Sequence, residues 1–437
     1  MFLRLACTAW MLIVPPCASG QEIAEVQERT LAAVSQVCRS GMDAPPLADA
    51  KLQSEVRFDD RDVGHWRRVW VTGTEQIQVT QAAKNGYPVL YFVAYLGGPS
   101  KQRPFLRIVT GERCEIRGGE AIEYEATSGK AVWLHLLGPN LKARSRPIPI
   151  NPPVPTLPVE NQECIRVAIL DNGVNYLLPA IASRLAREED GTLVGYDFWE
   201  GDERPFDFGV PESEPDPKMS PFDPPRHGTS VASVFLIAAP VFVCLAAYRY
   251  HPGDFGNQIG EMIDRIAADG ARIIVTATGR SRPWPEFRSA MERHRELLFV
   301  AAAGNEGADL AKNPIFPMAY AEPNLLVVAA TEADGSLWDR SNRGKGLVHI
   351  AVPADGIPGW RFDGSPAQLT GTSFAAPRIG ALAGVLLRRR PDLSGADLRD
   401  EVLRIAGAES AVTNDPVLLD EVQFQTLLKR EISGAGE

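Results

Sequence analysis

The sequence predicts a C-terminal α/β domain, a parallel β-sheet flanked by helices, preceded by a small α+β domain. Three observations carry this expectation. The segment RSRPIPINPPVPTLP, Arg144 to Pro158, is too rich in proline for a helix or a central strand, so it reads as an extended spacer between two domains. After it, apolar runs of strand length alternate with helical stretches, the pattern of a sheet buried on both faces. Before it, runs rich in Val, Ile and aromatic residues are broken by Asn85-Gly86 and Gly97-Gly98, as antiparallel strands are broken by turns.

At 437 residues the chain is long enough for one large core and a smaller one. Its composition is that of a globular protein: 45% hydrophobic, 8% aromatic and 23% charged residues. Lys and Arg total 45 against 55 Asp and Glu, a formal net charge of -10, which is the wrong sign for a general nucleic-acid binder.

The elements follow in order. Arg4, the apolar stretch Leu5 to Val14 and the small residues Ala18-Ser19-Gly20 read as an export signal cleaved after Gly20. Cys7 comes too early for a lipidation site, and Cys17 follows prolines rather than small residues. No later apolar run approaches the ~20 residues that span a bilayer, so the expected product is periplasmic or extracellular, with no stable membrane insertion. From Glu22 to Cys38, Ile23, Val26, Thr30, Leu31, Val34 and Val37 recur at helical spacing. Strands are expected at Arg67 to Val71, Tyr87 to Leu96, Pro104 to Val109 and Ala131 to Leu137. This places an α+β domain at 21–142 and the linker at 143–163.

In the remainder, 164–437, strands are expected at Arg166 to Leu170, Val241 to Ala247, Arg272 to Thr276, Leu298 to Ala303 and Leu325 to Ala330. Ile259, Met262, Ile263, Ile266 and Ala267 mark one face of a helix that Gly270 ends. Ser394 and Asp397 form a capping pair ahead of another. Four cysteines remain after the leader, in a compartment that permits disulfides. Cys38 with Cys114 is the first expected bridge, and Cys244, inside an apolar run, is expected as a buried thiol.

Three patterns in this second region carry chemistry. RVAIL delivers Asp171 at the carboxyl end of a strand, where open α/β sheets place ligands, and Asn172-Gly173 turns the chain away. In PRHGTSVASVF, His227 precedes a helix of small residues, Val231 to Ala238, that can approach the sheet closely. In LTGTSFAAPRIG, Ser373 sits on a turn before an apolar helix, where free backbone N–H groups face a developing oxyanion. A serine hydroxyl needs an adjacent base, and the base needs a buried carboxylate to fix its tautomer; Asp171, His227 and Ser373 supply those roles. A fourth pattern, FVAAAGNEG, ends a strand at Gly304 and projects Asn305 as a second oxyanion donor.

With those motifs in the order Asp, His, Ser, the sequence from Ile165 onward resembles the subtilisin-like serine proteases, the subtilases of peptidase family S8. His-Gly-Thr at 227–229, Gly-Thr-Ser at 371–373 followed by Ala375-Ala376-Pro377, the stretch NLLVVAATEADG and SNRG from Ser341 to Gly344 carry the resemblance. It implies a subtilisin-like fold and a secreted endopeptidase. Asp171 would orient, His227 act as base and then acid, Ser373 attack, and Asn305 stabilise the oxyanion. It also implies that an extended peptide substrate pairs with two backbone segments, Gly253-Asp254-Phe255-Gly256 and Ala277-Thr278-Gly279. No organic cofactor is required; structural Ca²⁺ is suggested by the resemblance only, and no metal ligand set is assigned.

The pattern is departed from at Asn172, Ser233 and TATGR, where the family commonly has a small hydroxyl residue, a glycine and a glycine-rich segment. Arg280 either narrows the primary specificity pocket or lies outside it. The separation of 56 positions from Asp171 to His227 takes in YDFWEGDERPFD and PESEPDP, whose carboxylates either favour basic substrates or bind Ca²⁺, or, the preferred reading, form a solvated loop beside the cleft. His65, His135, His251, His294 and His349 show no ligand spacing and read as structural. The N-terminal domain is either a propeptide that inhibits in cis or a permanent binding domain. Two other readings of the C-terminal domain are weighed: a catalytically inactive peptide-binding relative, disfavoured by the intact triad, and a Ser-Glu-Asp hydrolase, disfavoured because His227 stands where the base belongs.

Overall fold

Residues 20–437 are described in the computed structural model, except 42–43, 58–65, 74, 85–86, 97–102, 112, 126–129, 157–162, 209–221, 223–225, 251–254, 408–414 and 436–437. The expected export signal, Cys7, Cys17, His65, His251 and both Gly-containing turns lie outside the described residues. The chain divides into two units, Met1–Pro152 with Gly209–Pro224, and Pro153–Phe208 with Pro225–Glu437.

The N-terminal unit opens with α1 (Gly20–Ser40), whose Val26, Thr30, Ala33, Val34 and Val37 fall on one buried face. Eight strands then form an antiparallel meander in which each pairs with the next: β1 (Lys51–Arg57), β2 (Trp66–Thr72), β3 (Glu75–Lys84), β4 (Tyr87–Leu96), β5 (Arg103–Thr110), β6 (Ile116–Tyr124), β7 (Ala131–Leu137) and β8 (Ile148–Pro149). The registers Trp70↔Ile77, Val79↔Phe92 and Phe92↔Ile108 put these apolar residues on one face, where they pack with α1. A disulfide from Cys38 at the end of α1 to Cys114 between β5 and β6 closes the unit as expected.

Alternation sends Gln76, Gln78, Val93, Tyr95 and Arg107 to the opposite face, and all are buried. Arg107 holds Glu120 in a bidentate pair at 2.7 and 2.9 Å, and its guanidinium lies over the rings of Tyr91 and Phe222. Phe222 is fully buried, although it comes from the stretch between Asp171 and His227. The proline-rich segment also differs from a free spacer. Its first part belongs to this unit as β8, an edge strand, the position where proline is tolerated because no ladder N–H is required.

The second unit contains, in order, β9 (Ile165–Asp171), α2 (Pro179–Ala182), β10 (Gly195–Asp197), α3 (Gly228–Ala238), β11 (Val243–Arg249), α4 (Phe255–Ala268), β12 (Ile273–Thr276), α5 (Pro285–Arg293), β13 (Leu298–Ala302), β14 (Leu325–Thr331) and β15 (Ile350–Pro353). A hairpin, β16 (Ile357–Trp360) with β17 (Pro366–Leu369), follows, then α6 (Thr372–Arg389), α7 (Gly395–Ile405), β18 (Val417–Leu418) and α8 (Glu421–Ala435). The sheet runs β10-β11-β9-β12-β13-β14-β15-β18 and every pairing in it is parallel. Its strands are apolar on both faces, as a sheet sandwiched between helices requires. Gly380 and Gly384 of α6 leave no room for a Cβ against Val275 and Val243, so this helix lies close on the sheet. Ile259, Met262, Ile263 and Ile266 of α4 pack against its other face. The capping box at Ser394 and Asp397 forms as its spacing predicts.

Two expectations are corrected. Cys244 is not a free thiol: it is bonded to Cys164, because the parallel register of β9 and β11 brings the residue ahead of β9 beside it. The stretch YDFWEGDERPFD is not solvated throughout, and PESEPDP lies outside the described residues. Asp197 is buried at 2.6 Å from Arg249, which stacks on Trp199, and Asp207 is buried as well. A buried carboxylate needs partners that local sequence does not reveal.

Candidate active site

β9 lies between β11 and β12 and ends at Asp171, so this carboxylate emerges at the carboxyl edge near the middle of the sheet. It is buried, and the Asn172 N–H donates to its Oδ1 at 2.7 Å. Gly173, at φ +89°, then turns the chain in a conformation that favours glycine.

His227 stands at the N-cap of α3. Its Nδ1 is 2.9 Å from both Asp171 carboxylate oxygens. The approach depends on Gly228, whose Cα lies so close to the Gly173 carbonyl oxygen and the Asp171 Cβ that a side chain has no space. Burial by itself would depress the imidazole. The Asp171 carboxylate outweighs it by charge and by hydrogen bond, Asp207 adds when ionised, and His227 is pushed up to about 9.

Asn305 follows β13 and Gly304, which sits at φ +102°. Its Oδ1 accepts from the Thr372 N–H at 2.9 Å and the Thr372 hydroxyl at 3.0 Å, and that hydroxyl in turn accepts the Gly304 N–H at 3.0 Å. With Oδ1 engaged in this way, the amide nitrogen is the donor that Asn305 has left to offer. Ser373 is the next residue, in the first turn of α6, and is partly exposed. Phe374 follows it, with its ring centroid 5.8 Å from that of His227. Ser373 is thus bracketed by a neighbour bound to Asn305 and a neighbour packed on His227. Among the described residues no hydrogen bond reaches the Ser373 hydroxyl or His227 Nε2.

Of the two segments expected to pair with substrate, Phe255 and Gly256 open α4, and Gly253 and Asp254 lie outside the described residues. Ala277, Thr278 and Gly279 leave β12 as irregular backbone. The Tyr250 hydroxyl is hydrogen-bonded to Thr278, and burial with the nearby Asp171 charge keeps that phenol neutral. Gly279 is wedged between Ile315 and Met318. Arg280 stacks on Trp284 and approaches Glu286 at 3.6 Å.

The departures from the family pattern are accommodated. The Ser233 hydroxyl donates to the Ser230 carbonyl at 2.7 Å and accepts the Trp360 N–H at 2.9 Å, fastening β16 to α3. The sequence reading passed over Thr372, which joins Asn305 to α6, and Asp207, whose Oδ2 accepts the Thr229 N–H at 2.7 Å. The Gly-Thr-Ser motif carried a signal for the first; nothing local marked the second. Among the described residues no cluster of His, Cys, Asp and Glu is placed to hold a metal ion, and no helix is long and apolar enough to cross a membrane.

Comparison with known proteins finds the following similarities. The chain is 26% identical over 280 residues to halolysin of Haloferax mediterranei, covering 58% of this chain and 50% of that protein. It is 26% identical over 280 residues to the halolysin-like extracellular serine protease Nep of Natrialba magadii, covering 57% and 48%. It therefore spans about half the length of these relatives. Among solved structures, a cold adapted subtilisin-like serine proteinase matches with a TM-score of 0.43 at 20% identity, covering 59% of this chain and 90% of that one. The subtilase cytotoxin SubAB matches with a TM-score of 0.46 at 20% identity, covering 63% and 94%. The model of the subtilase family matches residues 163–425, and the chain belongs to that family.

Proposed function

We propose that this protein is an exported serine endopeptidase that cleaves peptide bonds through an acyl-enzyme on Ser373. The observation that carries the reading is the bracketing of Ser373 between Asn305-bound Thr372 and His227-packed Phe374, with Asp171 on the far side of the imidazole. Ser373 Oγ attacks the scissile carbonyl carbon while His227 Nε2 takes its proton, and Asp171 holds the Nδ1–H and stabilises the imidazolium. The oxyanion accepts from Asn305 Nδ2 and from the first-turn amide of Ser373. Collapse breaks the C–N bond, the amine leaves with the His227 proton, and water repeats the sequence on the ester. The Ser373–His227 hydrogen bond forms when substrate seats, as resting sites often require. Protein or peptide chains are the substrates, lying along Ala277 to Gly279, and no organic cofactor takes part.

Export is supported by the N-terminal leader pattern and by the word extracellular in the name of the Natrialba relative. We further propose that a cut in the proline-rich segment leaves the N-terminal unit in place as an inhibitor in cis, since Phe222, from the protease half of the chain, is buried in it.

The test compares wild type with Ser373→Ala, using a fluorophosphonate probe and intact mass. Labelling of wild type alone, at Ser373, supports the protease. A folded wild type that takes no label overturns it in favour of an inactive peptide-binding relative.

A further inference from the structure

Asp207 is completely buried, and the steps above do not use it. Its Oδ2 accepts the Thr229 N–H at 2.7 Å, and Thr229 lies in the first turn of α3, just past His227. The Thr229 hydroxyl accepts the Asn175 N–H at 2.9 Å, and Asn175 belongs to the loop that follows Asp171. From the other side, the Asp207 N–H donates to the Val174 carbonyl at 3.3 Å, and the Val174 N–H to the Pro205 carbonyl at 2.8 Å. Residues 205–207 therefore hold both the loop after Asp171 and the helix that begins at His227.

We propose that Asp207 is a positioning residue for the Asp171–His227 pair, bracing the first turn of α3 against the loop after Asp171. The proposal rests on the protease reading for its kinetic consequences. Oδ1 of Asp207 finds no hydrogen-bond partner among the described residues. An ionised carboxylate in that setting would keep an unsatisfied oxygen and face the Asp171 charge. Burial raises the carboxyl well above its usual range; the Thr229 hydrogen bonds and His227 pull it down, and Asp171 pushes it further up. What Asp207 supplies to the pair is Oδ2, the acceptor of the Thr229 N–H. Its contribution is geometric: the imidazole must meet the serine hydroxyl and Asp171 together, and small misplacements of such groups are costly.

The experiment measures kcat, KM and the pH profile for wild type, Asp207→Ala and Asp207→Asn. It also follows the downfield Nδ1 proton resonance of His227 in a Ser373→Ala background. Loss of the acceptor in Asp207→Ala should lower kcat by ~10²-fold with little change in KM, and should broaden or abolish the resonance. Asparagine keeps an acceptor without a charge, so Asp207→Asn should recover most of the turnover, retain the resonance and leave the acid limb in place. Wild-type turnover by a folded Asp207→Ala overturns the proposal, and so does an Asp207→Asn that is as impaired as the alanine variant or moves the acid limb. If Asp207→Ala does not fold by circular dichroism, Asp207→Asn decides by the same criteria. A wild type without turnover sinks the protease reading, while the resonance still judges Asp207.

Discussion

Gly228 lies with its Cα directly against the Gly173 carbonyl oxygen, and this contact sets how closely α3 approaches the end of β9. A methyl at position 228 has nowhere to go except by moving His227 away from Asp171. Gly228→Ala should therefore lower kcat by ~10²-fold while the fold persists, a loss read from steady-state kinetics alongside circular dichroism.

The elevated His227 fixes the sense of the pH dependence. The imidazole must be neutral to act as base, so kcat/KM should rise with pH along an acid limb whose apparent pKa lies above 6.5 and approaches about 9. Asp171→Asn removes the first partner and should lower the limb along with the rate. For stability the sign is opposite. A folded pKa above the unfolded one means that the pair's contribution is complete below 6.5 and lost as pH rises through about 9. Denaturant unfolding of Ser373→Ala, which cannot digest itself, should show stability declining across that window relative to its Asp171→Asn derivative.

Asn305 has two duties that two substitutions separate. Asn305→Asp keeps an oxygen for Thr372 but removes the donor, and should lower kcat by ~10²- to 10³-fold with KM little changed. Asn305→Ala removes both and should add a loss of thermal stability. Equal melting temperatures for the two variants would show that the Thr372 contact contributes nothing to folding.

Each disulfide closes a long loop, with separations of 76 and 80 residues, so reduction should destabilise its own unit by about 4 kcal/mol. Cys164→Ala with Cys244→Ala should lower the unfolding midpoint of the protease unit, and Cys38→Ala with Cys114→Ala that of the N-terminal unit. Differential scanning calorimetry resolves the two.

Phe222 links the fate of the N-terminal unit to the protease chain. After a cut between residues 153 and 163, the two fragments should co-elute in native gel filtration and separate in denaturant. Phe222→Ala leaves a cavity above Arg107 and should destabilise the N-terminal unit by about 3 kcal/mol. Separation of intact fragments under native conditions would dismiss inhibition by a retained unit.

The sequence by itself determined the elements whose signal is local. The apolar runs of β9, β11, β12, β13 and β14, the face of α4, the capping box of α7 and the turn residues around Asp171, His227, Asn305 and Ser373 are all statements about neighbours in the chain. The edge strand β1, KLQSEVR, exposed along its length, and β3, which buries Gln76 and Gln78, carry no such signal and went unread. Only the tertiary structure decided the rest. The Cys164–Cys244 bond depends on the register of two strands far apart in sequence. The burial of Asp197 and Asp207 depends on Arg249 and Thr229, and Phe222 is assigned to the N-terminal unit by Arg107. In each case the partner that makes the placement affordable is distant along the chain, and only folding brings the two together.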